Sequence, residues 1–262
     1  MIEEELGLLL FDRSTRHLRL TEDGKVLVKF AKNIMSSMED LHTALAEGKQ
    51  FKKGIIKLGL PPVIGVSFFP SIIASFRNLY PQVHIQLIEE GGKIIEQSLL
   101  DGKIDLGVVV LPVNEMNFET LPFAERRLSL IVNSKHPFAE KKNIYLADLK
   151  NEQFILFKKG FSLYDRIREA CISEGFEPQI AFESSQWDFI GEMVAADLGI
   201  ALLPEMICSK LDSRQIKVIP TLIPQINWNL ALIWRKNHYL SHAAKAWINF
   251  IEEMFPDNGR FP

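Results

Sequence analysis

The distribution of apolar residues predicts an α/β protein: two lobes of strands and helices, preceded by a small N-terminal segment and one long helix. Strand-like and helix-like runs alternate from Ile55 to Phe255, the pattern of sheets covered by helices. A polar, glycine-bracketed stretch, Gly48-Lys49-Gln50-Phe51-Lys52-Lys53-Gly54, sets this body apart from what precedes it. Ahead of that linker lies one helical pattern with a coiled-coil rhythm.

At 262 residues, with 47% hydrophobic and 24% charged side chains, the chain has the composition of an ordinary globular protein. Its formal net charge of -3 gives no overall attraction to nucleic acid, so such a contact needs a local basic cluster. No apolar run reaches the roughly 18 to 20 residues that span a bilayer. The acidic start Met1-Ile2-Glu3-Glu4-Glu5 is unlike a secretion signal. A cytoplasmic location without membrane contact is expected. Cys171 and Cys208 are too few and too far apart for a zinc site, and buried, reduced thiols are expected.

Taken in order, residues 2–20 are short and mixed and hold the dense run Arg13-Ser14-Thr15-Arg16-His17-Leu18-Arg19. Thr21 is a natural helix N-cap, and Glu22 and Asp23 suit the positive end of the helix dipole. Leu27, Ala31, Ile34, Met38, Leu41 and Leu45 then alternate steps of four and three. That seam stays wet on a lone helix, and pairing with a second copy covers it most simply; packing on its own domain is the alternative.

After the linker, Ile55 to Leu60 reads as a strand that Pro61 and Pro62 break. A helix through Ile72, Ile73, Phe76 and Leu79 follows, then a strand over 83–88, a helix over 94–100 and a buried strand over 104–111. This βαβαβ order predicts parallel strands with right-handed crossovers. A second series gives strands at 128–132 and 154–157, a helix over 163–174, a strand at 179–183, a helix over 187–196 and a strand over 199–203. The tail returns with strands near 216–219 and 228–234 and a helix over 241–255. Two lobes that the chain crosses more than once make a hinged clamp.

Ligands of such lobes bind beyond the carboxyl ends of the strands, where helix N-termini present free N–H groups. Four segments are therefore expected to line the cleft: Pro61, Pro62, Val63 and Ile64; Gly91 and Gly92; Lys158 to Ser162, including Gly160 and Phe161, with Ser162 as helix N-cap; and Ser184, Ser185, Gln186 and Trp187. Hydroxyls at helix starts suit a carboxylate or phosphate, although ordinary capping explains any one of them, and Trp187 fits the core equally well. A small organic anion is the expected ligand, with Glu89 and Glu90 weighing against a highly charged one.

At the N-terminus the sharpest string is Glu5-Leu6-Gly7, Leu10-Phe11-Asp12-Arg13, Arg16 and Leu20-Thr21-Glu22-Asp23-Gly24. An arginine-bearing hairpin beside a helix end suits DNA. A solvated charged turn is the other reading of those arginines. The whole string resembles the closing stretch of the winged helix-turn-helix of LysR-type transcriptional regulators: leucine-glycine ends the recognition helix, leucine-phenylalanine-x-arginine forms the wing, and leucine-threonine-x-x-glycine opens the linker helix. Further along, 54–59, 76–81, 100–107 and 194–204 are similar to landmarks of that family's sensor domain, so the resemblance covers the whole chain.

The resemblance implies a periplasmic-binding-protein-like effector domain preceded by a winged-helix remnant and a long linker helix. Residues 1–20 would be the recognition-helix end and wing, 21–48 the dimerisation helix, 49–54 a hinge linker and 55–262 the effector domain. Its first lobe is expected at about 55–112 and 220–262, its second at about 121–212. Arg13, Arg16, His17, Arg19 and Thr21 would face promoter DNA, the seam from Leu27 to Leu45 would build a homodimer or homotetramer, and RNA polymerase is a further partner that the family implies. Base-reading side chains of the family lie ahead of this stretch, so the alternative is a stand-alone small-molecule-binding or interaction protein that no longer binds a specific operator.

A solute-binding protein shares the clamp but predicts a secretion signal and no coiled coil. An enzyme is not expected: there is no G-x-S-x-G, no P-loop and no G-x-G-x-x-G after a strand. His238 and His242 have metal-pair spacing but fit a solvated helix start better, and no cofactor or metal is expected.

Overall fold

A computed structural model describes residues 2–13, 18–47, 54–66 and 69–256. The chain begins with the short helix α1 (Ile2–Leu6). Gly7, at φ +65°, ends it in the left-handed conformation that a Cβ would strain. A hairpin of β1 (Phe11–Asp12) and β2 (Arg19–Leu20) follows.

Helix α2 (Glu22–Glu47) is 26 residues long, roughly 40 Å. Thr21 caps it, its Oγ1 accepting from Gly24 N at 2.9 Å. The same hydroxyl donates to the Leu9 carbonyl at 2.7 Å and so binds the helix to the hairpin.

The first lobe is a five-stranded sheet in the order β4-β3-β5-β14-β6. It contains β3 (Gly54–Leu60), β4 (Val83–Glu89) and β5 (Leu106–Val110), with α3 (Pro62–Gly65), α4 (Phe69–Leu79) and α5 (Gly92–Leu100) between them. β3 runs parallel to both β4 and β5, as the βαβαβ reading predicts. β5 is buried along its whole length, which explains its unbroken apolar run. The sheet is nevertheless mixed, because β6 (Phe118–Ala124) and the returning β14 (Leu230–Arg235) run antiparallel.

In the second lobe β7 (Leu128–Asn133) lies between β11 (Ala201–Pro204) and β12 (Ile216–Ile219), antiparallel to both. β9 (Gln153–Phe157) pairs in parallel with β10 (Gln179–Ser184), and a bridge from Phe154 to Ile200 joins the two groups. The short β8 (Asn143–Tyr145) and β13 (Thr221–Ile223) form a parallel pair. Helices α6 (Ser162–Ser173), α7 (Trp187–Ala195) and α8 (Glu205–Cys208) pack around these strands. Helix α9 (His242–Met254) closes the first lobe, with Trp247 edge-on to Phe76 at 4.8 Å.

Two antiparallel passes connect the lobes, held by Leu128 N to Ile226 O at 3.0 Å and Trp228 N to Arg126 O at 2.7 Å. The sheets correct the expected lobe limits: the first lobe keeps β6 to Ala124 and the second keeps β13 to Ile223. Both strands are short or proline-bearing, so periodicity did not reveal them. This two-lobed α/β clamp is the architecture that the alternating strands and helices predict.

Candidate functional site

Each strand-to-helix turn facing the gap between lobes is built from residues that let backbones come close. Pro61 precedes α3 and Gly91 precedes α5 in the first lobe; Gly160 and Phe161 precede α6 in the second. A cavity between them is walled by Pro61, Val63 and Gly92 on one side and Phe161, Ser162 and Leu163 on the other, with Val110 and Trp228 toward the hinge. It holds about 10 Å³, room for about one water. The clamp is shut.

Several contacts hold it so. A Cβ on Gly91 would stand 2.6 Å from the Gly160 carbonyl oxygen, so the lobes meet backbone to backbone. Lys93 on α5 pairs with Asp165 on α6 at 2.6 Å. Lys210 Nζ donates to the Val66 carbonyl at 2.9 Å. Arg166 on α6 donates to the carbonyls of Asn227, at 2.6 Å, on the returning pass and of Leu111 just after β5 in the first lobe. Burial lowers the Arg166 pKa from its ordinary value, yet no carboxylate forms a salt bridge with it among the described residues. The indole Nε1 of the fully buried Trp228 has no hydrogen-bond partner there either.

Val63, Gly92, Phe161 and Ser162 thus line the cavity as the sequence predicts, and Gly91 and Gly160 form its seam. Pro62 is half-buried in α3 behind it. Ile64 is a correction: it is wholly buried in the hydrophobic core, because the short helix turns it inward. Ser162 is not the helix cap either. Phe161 takes that position without a side-chain bond.

Ser184, Ser185, Gln186 and Trp187 lie off this cavity. Ser184 is buried at the end of β10 and accepts from Gln186 N at 3.1 Å, while Trp187 packs against the core. Sequence reasoning missed Val110, Leu163, Arg166 and Trp228. Trp228 belongs to the return pass, which only the folded topology brings to the cleft.

Both cysteines are free and buried, and burial pushes each thiol up to about 12. Among the described residues no group of three or more His, Cys, Asp and Glu could hold a metal, and no helix is long and apolar enough to cross a membrane.

At the N-terminus Glu3 organises the hairpin. Its carboxylate accepts from Leu10 N at 2.8 Å and Phe11 N at 3.2 Å and pairs with Arg13 at 2.8 Å, which hold its pKa below the usual carboxylate value. Arg19 is exposed on β2, whereas Arg16 and His17 lie outside the described residues. Thr21 spends its hydroxyl on capping. On α2, Ala31, Ile34, Met38, Leu41 and Leu45 are exposed and Leu27 is half-buried, so the seam is uncovered in a single chain.

The family model of the LysR substrate binding domain matches residues 49–256. The chain is 47% identical over 247 residues to the uncharacterized HTH-type transcriptional regulator YwbI of Bacillus subtilis, covering 94% of this chain and 82% of that one. It is 29% identical over 255 residues to the transcriptional dual regulator GltC of the same organism, covering 97% and 85%. Full-length OxyR from Pseudomonas aeruginosa superposes with a TM-score of 0.74 at 26% identity, over 96% of this chain and 82% of that one. A shut clamp behind a capped hairpin and a long helix agrees with these likenesses, and the chain belongs to the LysR family of transcriptional regulators, with that family's effector-binding domain.

Proposed function

We propose that the cleft between the lobes takes a small organic anion and that its occupancy sets how two copies of the chain present their hairpins to promoter DNA. One observation carries the ligand reading: the cavity wall includes Ser162 and the fully buried Trp228, whose N–H is unpaired among the described residues. A buried donor without an acceptor costs about 1–3 kcal/mol, and a carboxylate oxygen would relieve that. Arg166 supplies positive charge beside the hinge; Glu169 acts on it only through space, and no carboxylate forms a salt bridge with it among the described residues.

The cavity admits no such ligand while shut, so binding requires the lobes to part and close again, and that movement is the signal. Peroxide sensing, suggested by the likeness to OxyR, is not favoured: thiols held at about 12 supply almost no thiolate. On the DNA side, Arg13 and Arg19 of the hairpin, with Arg16 and His17 between them in the sequence, supply the basic charge, and the exposed seam of α2 brings two hairpins together. RNA polymerase is a further candidate partner.

The test is calorimetric titration of the chain with a panel of small carboxylic acids. At least one should bind, quench tryptophan emission and lose about tenfold or more in affinity in Ser162→Ala. A panel in which no acid binds, or a hit that Ser162→Ala and Trp228→Phe leave untouched, would overturn the ligand reading.

A further inference from the structure

A second and larger cavity lies away from the cleft, between α2 and the first lobe. It measures about 600 Å³, within the roughly 300–1,000 Å³ usual for small-molecule sites. Lys25, Lys29 and Lys32 enter it from one face of α2, at the i, i+4, i+7 spacing that aligns side chains on a helix. Arg235 at the end of β14, and Lys236 and His238 just beyond it, face them from the sensor domain. The amides of Gln97, Asn117 and Asn237 complete its polar lining.

Among the described residues of this wall Asp101 is the one carboxylate, and it is already engaged. Lys32 and Lys103 each reach it at 3.2 Å and Gln97 at 2.9 Å. Lys25 is held by Glu22 at 2.6 Å. Lys29 and Lys236 make no salt bridge among the described residues. Positive charge is thus concentrated in one concave site of a chain whose formal net charge is -3. Like charges gathered around a cavity repel one another, and an anion between them turns repulsion into paired contacts.

We infer that this cavity binds a small polyanion of the phosphate-ester or diphosphate class, bridging the linker helix to the sensor domain. Several lysines and an arginine around amide donors suit phosphoryl oxygens, which accept many hydrogen bonds at once. Such a ligand touches α2 on one side and the first lobe on the other, so it fixes the angle at which the helix leaves the sensor. The inference does not rest on the effector cleft, which shares no lining residue with this site.

Inorganic pyrophosphate is the probe, titrated calorimetrically into the whole chain at low ionic strength. The expected result is one site per chain, weakened about tenfold or more in Lys29→Gln/Lys236→Gln and unchanged in Ser162→Ala. DNA phosphates share this chemistry, so a short duplex forms the second arm. No binding of pyrophosphate, or equal binding by the double variant, overturns the site. So does a double variant that loses duplex affinity while keeping that for pyrophosphate.

Discussion

Cys171 and Cys208 lie under the surface of the second lobe, where burial disfavours their charged form and pushes both thiols up to about 12. The native chain should therefore react with a thiol-specific disulfide reagent only slowly at neutral pH, and both thiols should become reactive on unfolding in guanidinium. Prompt reaction of either in the native state would reopen a redox role. Gly91 presents the opposite case, a residue whose lack of a side chain matters. In Gly91→Ala the new methyl would meet backbone at 2.6 Å, which no rotamer change relieves, so the shut state should be lost. A larger radius of gyration in small-angle scattering, with weakened effector binding, is the expected outcome. Residue roles were only partly legible in the sequence. Glycines at strand-to-helix turns announced the seam, because close backbone approach is what glycine permits. Ser162 was found for an incomplete reason: it faces the cavity, but Phe161 caps the helix. Nothing local marked Trp228, because its place depends on a strand returning from the far lobe.

At the scale of elements, the start of α2 shows why leucine-threonine-x-x-glycine makes a joint. Thr21 bonds both ways, to Leu9 O and from Gly24 N. A Cβ on Gly24 would stand 2.1 Å from the Leu10 carbonyl oxygen, so the helix can seat on the hairpin only with glycine there. Thr21→Ala should cost about 1 kcal/mol of local stability, read as faster hydrogen exchange at the Gly24 amide with the sensor domain unaffected. Further along α2, Ile34 is 64% exposed and Leu41 56%, an unfavourable state for a seam of this length. Ile34→Lys with Leu41→Lys should convert a self-associating chain to a monomer in sedimentation; equal sedimentation of both proteins would show that the seam is not the interface. Long elements were legible because their apolar positions follow a regular pattern: α2, α9 and the inner strands β3 and β5 lie where that pattern puts them. β6 escaped because Glu119 and Pro122 interrupt its apolar pattern, and β13 because three residues hold too little pattern to recognise.

For the whole molecule, the balance between shut and open clamps depends on contacts of different kinds. The Gly91–Gly160 seam is backbone against backbone and Arg166 is half-buried, whereas Lys93 and Asp165 are 69% and 37% exposed at their side chains. A pair so exposed is worth at most about 1 kcal/mol and is screened by salt. It therefore trims the equilibrium rather than setting it. The hydrogen bond and charge of Asp165 raise the Lys93 pKa from 10.5. The sign follows: a raised lysine pKa contributes stability that is fully present below 10.5 and is lost as pH rises through the higher folded value. From this limb the clamp should stay shut through neutral pH and loosen only in strong alkali. Adding salt at neutral pH should loosen it slightly, and Lys93→Met should reproduce that loosening while abolishing both the salt and the alkaline response. Scattering on the effector-free chain reads all three. If Lys93→Met keeps the same salt and alkaline response as the parent chain, this latch does not govern closure, and the seam and the arginine carry it alone.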